Sequence, residues 1–272
     1  MNVKLGICNF CVPGVGVYAA RFVAEAGLDG MSIEYGTYEQ GFPLSLRKVQ
    51  EAYLDDQQKY GIEYANIGCS GFDFIPFHVR ENDPLYDDVM LALKKVVAAA
   101  DYMKIPMIFV PGFHKSEVKS EEDLEYTAKT FRYLCEMAGE KDILVSSENQ
   151  LTAAQQHQLY DMVGCDNFGM FYDSDNYFYN KGYDQVEILE GTIDILSPQL
   201  HVKDGKEGVL AGSLLGQGDA NFYGTIETLK KHNYEGWLII ENLYYLQPLR
   251  DQNEDLFALF HEDVRILKNA VK

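Results

Sequence analysis

Residues 237–241 read WLIIE, and the same form recurs upstream as ILVSSE at 143–148, FGMFYD at 168–173 and QLHV at 199–202. Each is a short apolar run that delivers an ionisable side chain at or near its end. Those side chains are Glu148, Asp173, His201 and Glu241, separated by 25, 28 and 40 residues. Each gap is about one strand-plus-helix unit. In a parallel barrel, consecutive strands end on the same rim, so residues distant in sequence converge there. Three carboxylates and one imidazole suit a hard or borderline divalent cation with room left for substrate oxygens. The pattern predicts an enzyme.

Outward from these runs, strands are expected at 3–7, 31–34, 63–67, 107–110, 143–147, 168–172, 200–203 and 237–241. The clearest helices between them are at 85–103, 121–138, 153–162, 225–232 and 256–269. In LYDDVMLALKKVVAAADYM (85–103), apolar residues recur at three- and four-residue spacing, as an amphipathic helix requires. The strand runs are too uniformly apolar for a sheet with one wet face and read as parallel strands covered by helices. About eight such units in 272 residues match an α/β fold, a single (β/α)8 TIM barrel, over residues 1–272. A doubly wound sheet is the competitor. The stretches GCSGFDFIPFHVREND (68–83) and DSDNYFYNKGYD (173–184) read as long strand-end loops that shape a pocket.

Forty-two acidic against 23 basic side chains give a net charge of −19, which repels phosphate backbones and excludes nucleic acid as a partner. No apolar run reaches transmembrane length, so no membrane partner is expected. The start, MNVKLGICNF, lacks the features of a secretion signal. Cys8, Cys11, Cys69, Cys135 and Cys165 read as free thiols in a reducing compartment, which predicts a cytoplasmic protein. Cys8 and Cys11 form an isolated C-x-x-C with no second half of a zinc site.

Each candidate ligand has a plain alternative. Glu148 could instead accept backbone amides at a helix start. Asp173 directly follows its apolar run and is favoured over Asp175, which could form an Asx-turn. A histidine inside an apolar strand is often a satisfied core residue, but Lys203 and Asp204 crowd the exit beside His201. Glu241 is the hardest to explain away, because a carboxylate at the end of WLIIE is costly without a cation or hydrogen bonds.

Gly14, Gly16 and Ala19, with Glu34 following, mimic a dinucleotide-binding fingerprint. Five residues, NFCVP, intervene before Gly14, so nicotinamide or flavin binding is a minor alternative. Aromatic residues crowd the presumed rim loops (Phe72, Phe74, Phe77, Tyr177, Phe178, Tyr179, Tyr244, Tyr245) and suit either sugar C–H faces or a subunit interface, so a homo-oligomer is compatible. His78 and His114 follow the third and fourth strands and are candidate substrate contacts, with a structural role as the alternative. LLGQGDANF (214–222) could cradle a phosphate or form a bare turn capped by Asp219 or Asn221. The scarcity of basic residues near the presumed rim leans against a phosphorylated substrate.

The segments SSEN at Glu148, FYDSDN at Asp173, LHVKDG at His201, LGQGDANF through Phe222, IIEN at Glu241 and SIEY at Glu34 resemble the xylose isomerase-like barrel superfamily, in its sugar phosphate isomerase/epimerase group. The resemblance spans about the whole chain. It implies a (β/α)8 barrel with one divalent cation (Mn, Mg, Co or Zn) held by Glu148, Asp173, His201 and Glu241. Two positions depart from the group: Asn176 stands where a histidine is common, and Ala154 where ketose 3-epimerases carry a substrate-binding glutamate. The zinc endonuclease branch is disfavoured by the charge and by a total of six histidines.

The chemistry this implies is proton abstraction beside a carbonyl, through an enediolate, on a sugar or related small polyhydroxy compound. Glu148 and Glu241 are the expected acid–base pair. Asn176, Lys203, Glu34, His78 and His114 are the expected substrate contacts. An inosose- or keto-sugar-type dehydratase is the alternative on the same barrel, with an oxidoreductase or a non-catalytic binding barrel further behind.

Overall fold

Along the strand that carries His201, residues 199, 201 and 203 are polar and residues 200 and 202 are apolar, and this alternation organises the molecule. A computed structural model of the protein describes residues 1–14, 19–253 and 255–272. Its strands are β1 (Val3–Cys8), β2 (Gly30–Glu34), β3 (Glu63–Gly68), β4 (Met107–Pro111), β5 (Leu144–Glu148), β6 (Phe168–Met170), β7 (Gln199–Val202), a hairpin of β8 (Asp204–Lys206) and β9 (Val209–Ser213), and β10 (Gly236–Ile240). The helices are α1 (Ala19–Glu25), α2 (Arg47–Tyr60), α3 (Tyr86–Met103), α4 (Glu121–Gly139), α5 (Ala153–Val163), α6 (Asn176–Lys181), α7 (Gln185–Glu190), α8 (Phe222–Lys231) and α9 (Leu256–Ala270).

Eight strands pair in parallel in the order β6-β5-β4-β3-β2-β1-β10-β7. The two end strands meet through isolated parallel bridges, Met170 with Leu196 and Asp173 with His201. His201 N donates to Tyr172 O at 2.9 Å and Ser197 N to Met170 O at 2.8 Å, which closes the (β/α)8 barrel. The rung that completes the cylinder therefore joins two of the candidate ligands.

The expected helices at 85–103, 121–138, 153–162 and 256–269 agree with the structure to within a residue at each end. Their ends have local causes. Ser120 caps α4 by accepting from Asp123 N, and Thr152 with Gln155 forms a capping box on α5. One helix begins three residues before its expected start at Thr225, because the Asn221 side chain accepts from Gly224 N. Two features differ from expectation. The stretch after Tyr172 is not a plain loop but carries α6, and the β8–β9 hairpin follows Lys203 directly.

Strand side chains alternate between the barrel interior and the helical layer. Inside, Met107, Phe109 and Phe171 form a small apolar cluster, distinct from the large core between sheet and helices. Below the rim, Ser32 donates to Asn66, Asn66 to Gln199 at 2.7 Å, and Gln199 to Ala65 O at 2.7 Å, which satisfies the buried amides across β2, β3 and β7. Two residues further along these or neighbouring strands, the same parity places Cys8, Glu34, Glu148, Asp173, His201 and Glu241 at the upper end of the interior. A Cβ on Gly68 would lie 2.8 Å from Glu34 Oε1 and 2.9 Å from the Phe109 ring, so glycine at the end of β3 leaves room for both.

Candidate active site

At this upper end, one atom each from Glu148, Asp173, His201 and Glu241 fall within 4.8 Å of one another. Glu148 ends β5, Asp173 and His201 form the closing rung, and Glu241 directly follows β10. His201 Nδ1 lies 3.3 Å from Glu241 Oε2, 3.4 Å from Glu148 Oε1 and 3.8 Å from Asp173 Oδ2. Nδ1 and Asp173 Oδ2 are buried and make no hydrogen bond, although the Lys203 ammonium stands 3.2 Å from Oδ2. Three carboxylates crowded round one imidazole, all buried except Glu241, are costly unless positive charge offsets them. The donor set and the unpaired Nδ1 fit one divalent cation.

The remaining contacts orient the cluster. Asp173 Oδ1 accepts the amides of Asp175 and Asn176, both at 2.8 Å, so only Oδ2 faces the site. Asn176 Nδ2 donates to Glu148 Oε1 at 3.0 Å. His201 Nε2 meets Cys8 Sγ at 3.3 Å, and the rings of Phe109 and Phe171 present edges to the imidazole at 5.2 and 4.6 Å. Lys203 Nζ lies 2.6 Å from Glu241 Oε2 and 3.2 Å from Asp173 Oδ2.

These neighbours shift the titrating groups in opposed directions. Burial pushes Glu148 up to about 7, against the pull of His201. Burial acts on Glu241 in the same sense, but His201 and Lys203 outweigh it and hold that carboxyl well below the usual range. Burial opposes charge on Lys203, yet Asp173, Glu241 and Glu148 together raise it. Their surroundings thus push the two glutamates in opposite directions.

Above the cluster opens a cavity of about 600 Å³. Glu34, Lys203, Asn176 and His114 line it, together with Glu148 and Glu241. Glu34 accepts from Ser70 Oγ, and burial raises its carboxyl to about 7. His78 lies elsewhere. Its Nε2 is 3.6 Å from Asp123 on α4, where it fastens the long β3–α3 connection to that helix. Sequence reasoning missed several wall residues: Asp73, Phe113, Lys119, Gln150, Asn180 and Lys181. Lys181 was within reach of a spacing argument, since Asn176 and Lys181 sit on one short helix once DSDNYFYNKGYD is read as helical.

The glycine-rich segment does not face a ligand. Asp204 Oδ2 accepts the amides of Gly216 and Gly218 at 2.9 and 3.0 Å, and Oδ1 accepts that of Ala220 at 3.1 Å. The amides that could have held a phosphate are spent on this internal carboxylate. Of the fingerprint-like glycines, Gly16 lies outside the described residues, and Ala19 opens α1.

Residues 20–260 match the family described as xylose isomerase-like TIM barrel. The chain belongs to that family. Within and around the xylose isomerase-like barrels, it is 24% identical over 238 residues to a 2-epi-5-epi-valiolone 7-phosphate 2-epimerase of Actinoplanes sp., covering 85% of this chain and 83% of that one. It is 24% identical over 152 residues to an inosose dehydratase of Histophilus somni, covering 47% of this chain and 51% of that one. Among solved structures, the D-psicose 3-epimerase of Clostridium cellulolyticum H10, determined with D-tagatose, superposes with a TM-score of 0.78 at 14% identity over 99% of both chains. The barrel is shared where the sequence has diverged. No helix among the described residues is long and apolar enough to cross a membrane.

Proposed function

We propose that this barrel is a divalent-metal-dependent isomerase or epimerase that enolises a sugar or related polyhydroxy carbonyl compound. The observation that carries the reading is the meeting of four ligand-capable atoms at the cavity floor, with His201 Nδ1 left without a hydrogen-bond partner among the carboxylates. Glu148, Asp173, His201 and Glu241 would hold the cation, which when bound supplies Lewis-acid polarisation of the substrate carbonyl. The epimerase named among the relatives supports the same class.

The residues divide the remaining work. Glu148 and Glu241 approach from β5 and the end of β10, three strands apart around the barrel, so one removes the proton beside the carbonyl and the other returns one. Positioned acid–base groups of this kind contribute about 10²–10⁴-fold each. Asn176 fixes Glu148 by its side-chain hydrogen bond. Lys203 keeps Glu241 ionised and lies where it can donate to a substrate oxygen. Glu34 and His114, on the cavity wall, offer hydrogen bonds to substrate hydroxyls. Phe109, Phe113 and Pro111 supply apolar wall and exclude water.

A dehydratase on the same site is the second reading, favoured by the inosose dehydratase relative, because elimination also begins at an enolate. Metal analysis of the purified protein, then proton exchange in D₂O against ketoses and inososes, tests both. Solvent deuterium entering the carbon beside the carbonyl is the expected result, and loss of water separates the lyase from the isomerase. Glu241→Gln should lose both metal and exchange. If it keeps both, the scheme is wrong.

A further inference from the structure

The cavity has two chemically different ends. Its floor is the carboxylate cluster. Away from the floor its wall carries His114, Lys119, Gln150, Asn180 and Lys181 with the carboxylate of Glu117, and Asp73 accepts the Phe113 amide beside His114. Lys181 Nζ lies 2.7 Å from Glu117 Oε1, and Lys119 Nζ lies 3.3 Å from Oε2. Two ammonium groups share this one carboxylate, in a chain whose net charge is −19. In so acidic a protein, two lysines converging at the edge of one cavity stand out.

We infer that this wall is an anion subsite, and that the substrate carries a terminal phosphate which Lys181 and Lys119 bind while its carbonyl end lies at the carboxylate cluster. The inference rests on the enolising reading of the same cavity. Helix α6 links the two ends. At its first residue, Asn176 holds Glu148, and at its last stands Lys181.

The electrostatics fit a ligand that replaces a placeholder. Glu117 gathers both ammonium groups, and the two lysines hold its carboxyl below the usual range, with Lys181 the stronger partner. A phosphate brings more charge and more acceptor oxygens than a carboxylate, so it competes for the same donors with shorter, charge-assisted bonds. Gln150 and Asn180 on this wall add neutral amide groups for the adjoining hydroxyls. His114, on the same wall, holds a left-handed backbone with φ of 48°, a strained conformation of the kind that clusters at ligand sites.

Binding and turnover test the two layers separately. D-glucitol 6-phosphate and D-glucitol have no carbonyl to enolise, so calorimetry on the metal-loaded protein reads the subsite alone. The phosphorylated polyol should bind roughly 30-fold more tightly, as charge-assisted contacts to two lysines imply. The advantage should vanish in the Lys119→Ala/Lys181→Ala double variant, persist in Lys181→Arg, and weaken with salt. Equal affinity for the two polyols, or an advantage that survives the double variant, overturns the anion subsite. Deuterium exchange with D-fructose 6-phosphate and D-fructose decides the enolising reading independently. If phosphate-dependent binding holds and no ketose exchanges, the subsite stands and the enolising reading falls.

Discussion

Cys8 Sγ lies 3.3 Å from His201 Nε2, on the far side of the ring from the carboxylates that crowd Nδ1. A metal-ligating histidine needs a partner on its other nitrogen to fix tautomer and ring angle. A buried sulfur stands where such a partner of His201 would be. A cation on Nδ1 would leave the ring proton on Nε2, directed at sulfur.

Cys8→Ala should therefore lower affinity for the divalent cation by about 10- to 100-fold, measured by calorimetry on chelator-stripped protein. Cys8→Ser keeps an acceptor and should recover most of the loss. Unchanged affinity in Cys8→Ala would make the sulfur a bystander.

Asp204 serves three amides across the β8–β9 hairpin, and its own amide donates to Asn242 Oδ1 at 3.0 Å. Asn242 in turn donates to Asp263 at 2.7 Å, which also accepts from Tyr244 and Leu215. Asp204 and Asn242 each adjoin a site residue, Lys203 and Glu241, so this network sets the spacing of that pair. Asp204→Asn replaces an acceptor with a donor opposite buried N–H groups and should cost about 2–3 kcal/mol in urea unfolding. Gly218→Ala should do similar harm, since its Cβ would lie 2.1 Å from Gly205 O and 2.2 Å from Asp204 Oδ1.

Glu34 gives the metal-free protein a pH dependence. Burial lifts its carboxyl to about 7, against about 4.3 in an unfolded chain. The folded state thus binds the proton more readily between those values. The associated stability is complete below about 4.3 and is lost as pH rises through about 7, by at most about 1.4 kcal/mol per pH unit inside that window. Denaturant titrations of chelated protein at pH 5 and pH 7 should show the decline, and Glu34→Gln should make it shallower while Glu148, Asp175 and Asp263, raised to about 7 as well, keep the rest. An equal slope in the variant would assign the dependence to other groups.

Removal of the cation should register as a loss of thermal stability. The four ligand-capable side chains come together only in the folded chain, so a cation they held would bind the folded state alone. At a hundred times its dissociation constant, it adds about 2.7 kcal/mol. Thermal melts with Mn²⁺ against chelator should separate by several degrees, and the Asp173→Asn/His201→Gln double variant should show no difference between the two.

The sequence exposed the strands and the four floor residues because both depend on local pattern. An apolar run marks each strand, and an ionisable residue at its end marks the rim. Glu241 was legible for that reason. What the sequence withheld depends on pairing across the barrel. Cys8 meets His201 across 193 positions, a contact no local window contains. Helix α6 hid in an aromatic, glycine-bearing stretch six residues long, too short to show helical periodicity. The basic wall escaped notice because Lys119 and Lys181 come from different strand–helix connections and meet through Glu117. His78 follows a strand as a pocket residue would, yet its connection folds back onto α4.

The rung between Asp173 and His201 gives the barrel a clasp, and the clasp is made from the groups that would grip the cation. Between β6 and β7 the cylinder is held by two isolated bridges rather than by a ladder. Loading the site would tighten that join, and emptying it would leave it to backbone contacts alone. A cell short of the right ion would then hold a barrel more easily pried open, so that supply of the ion governs the lifetime of the protein as well as its turnover.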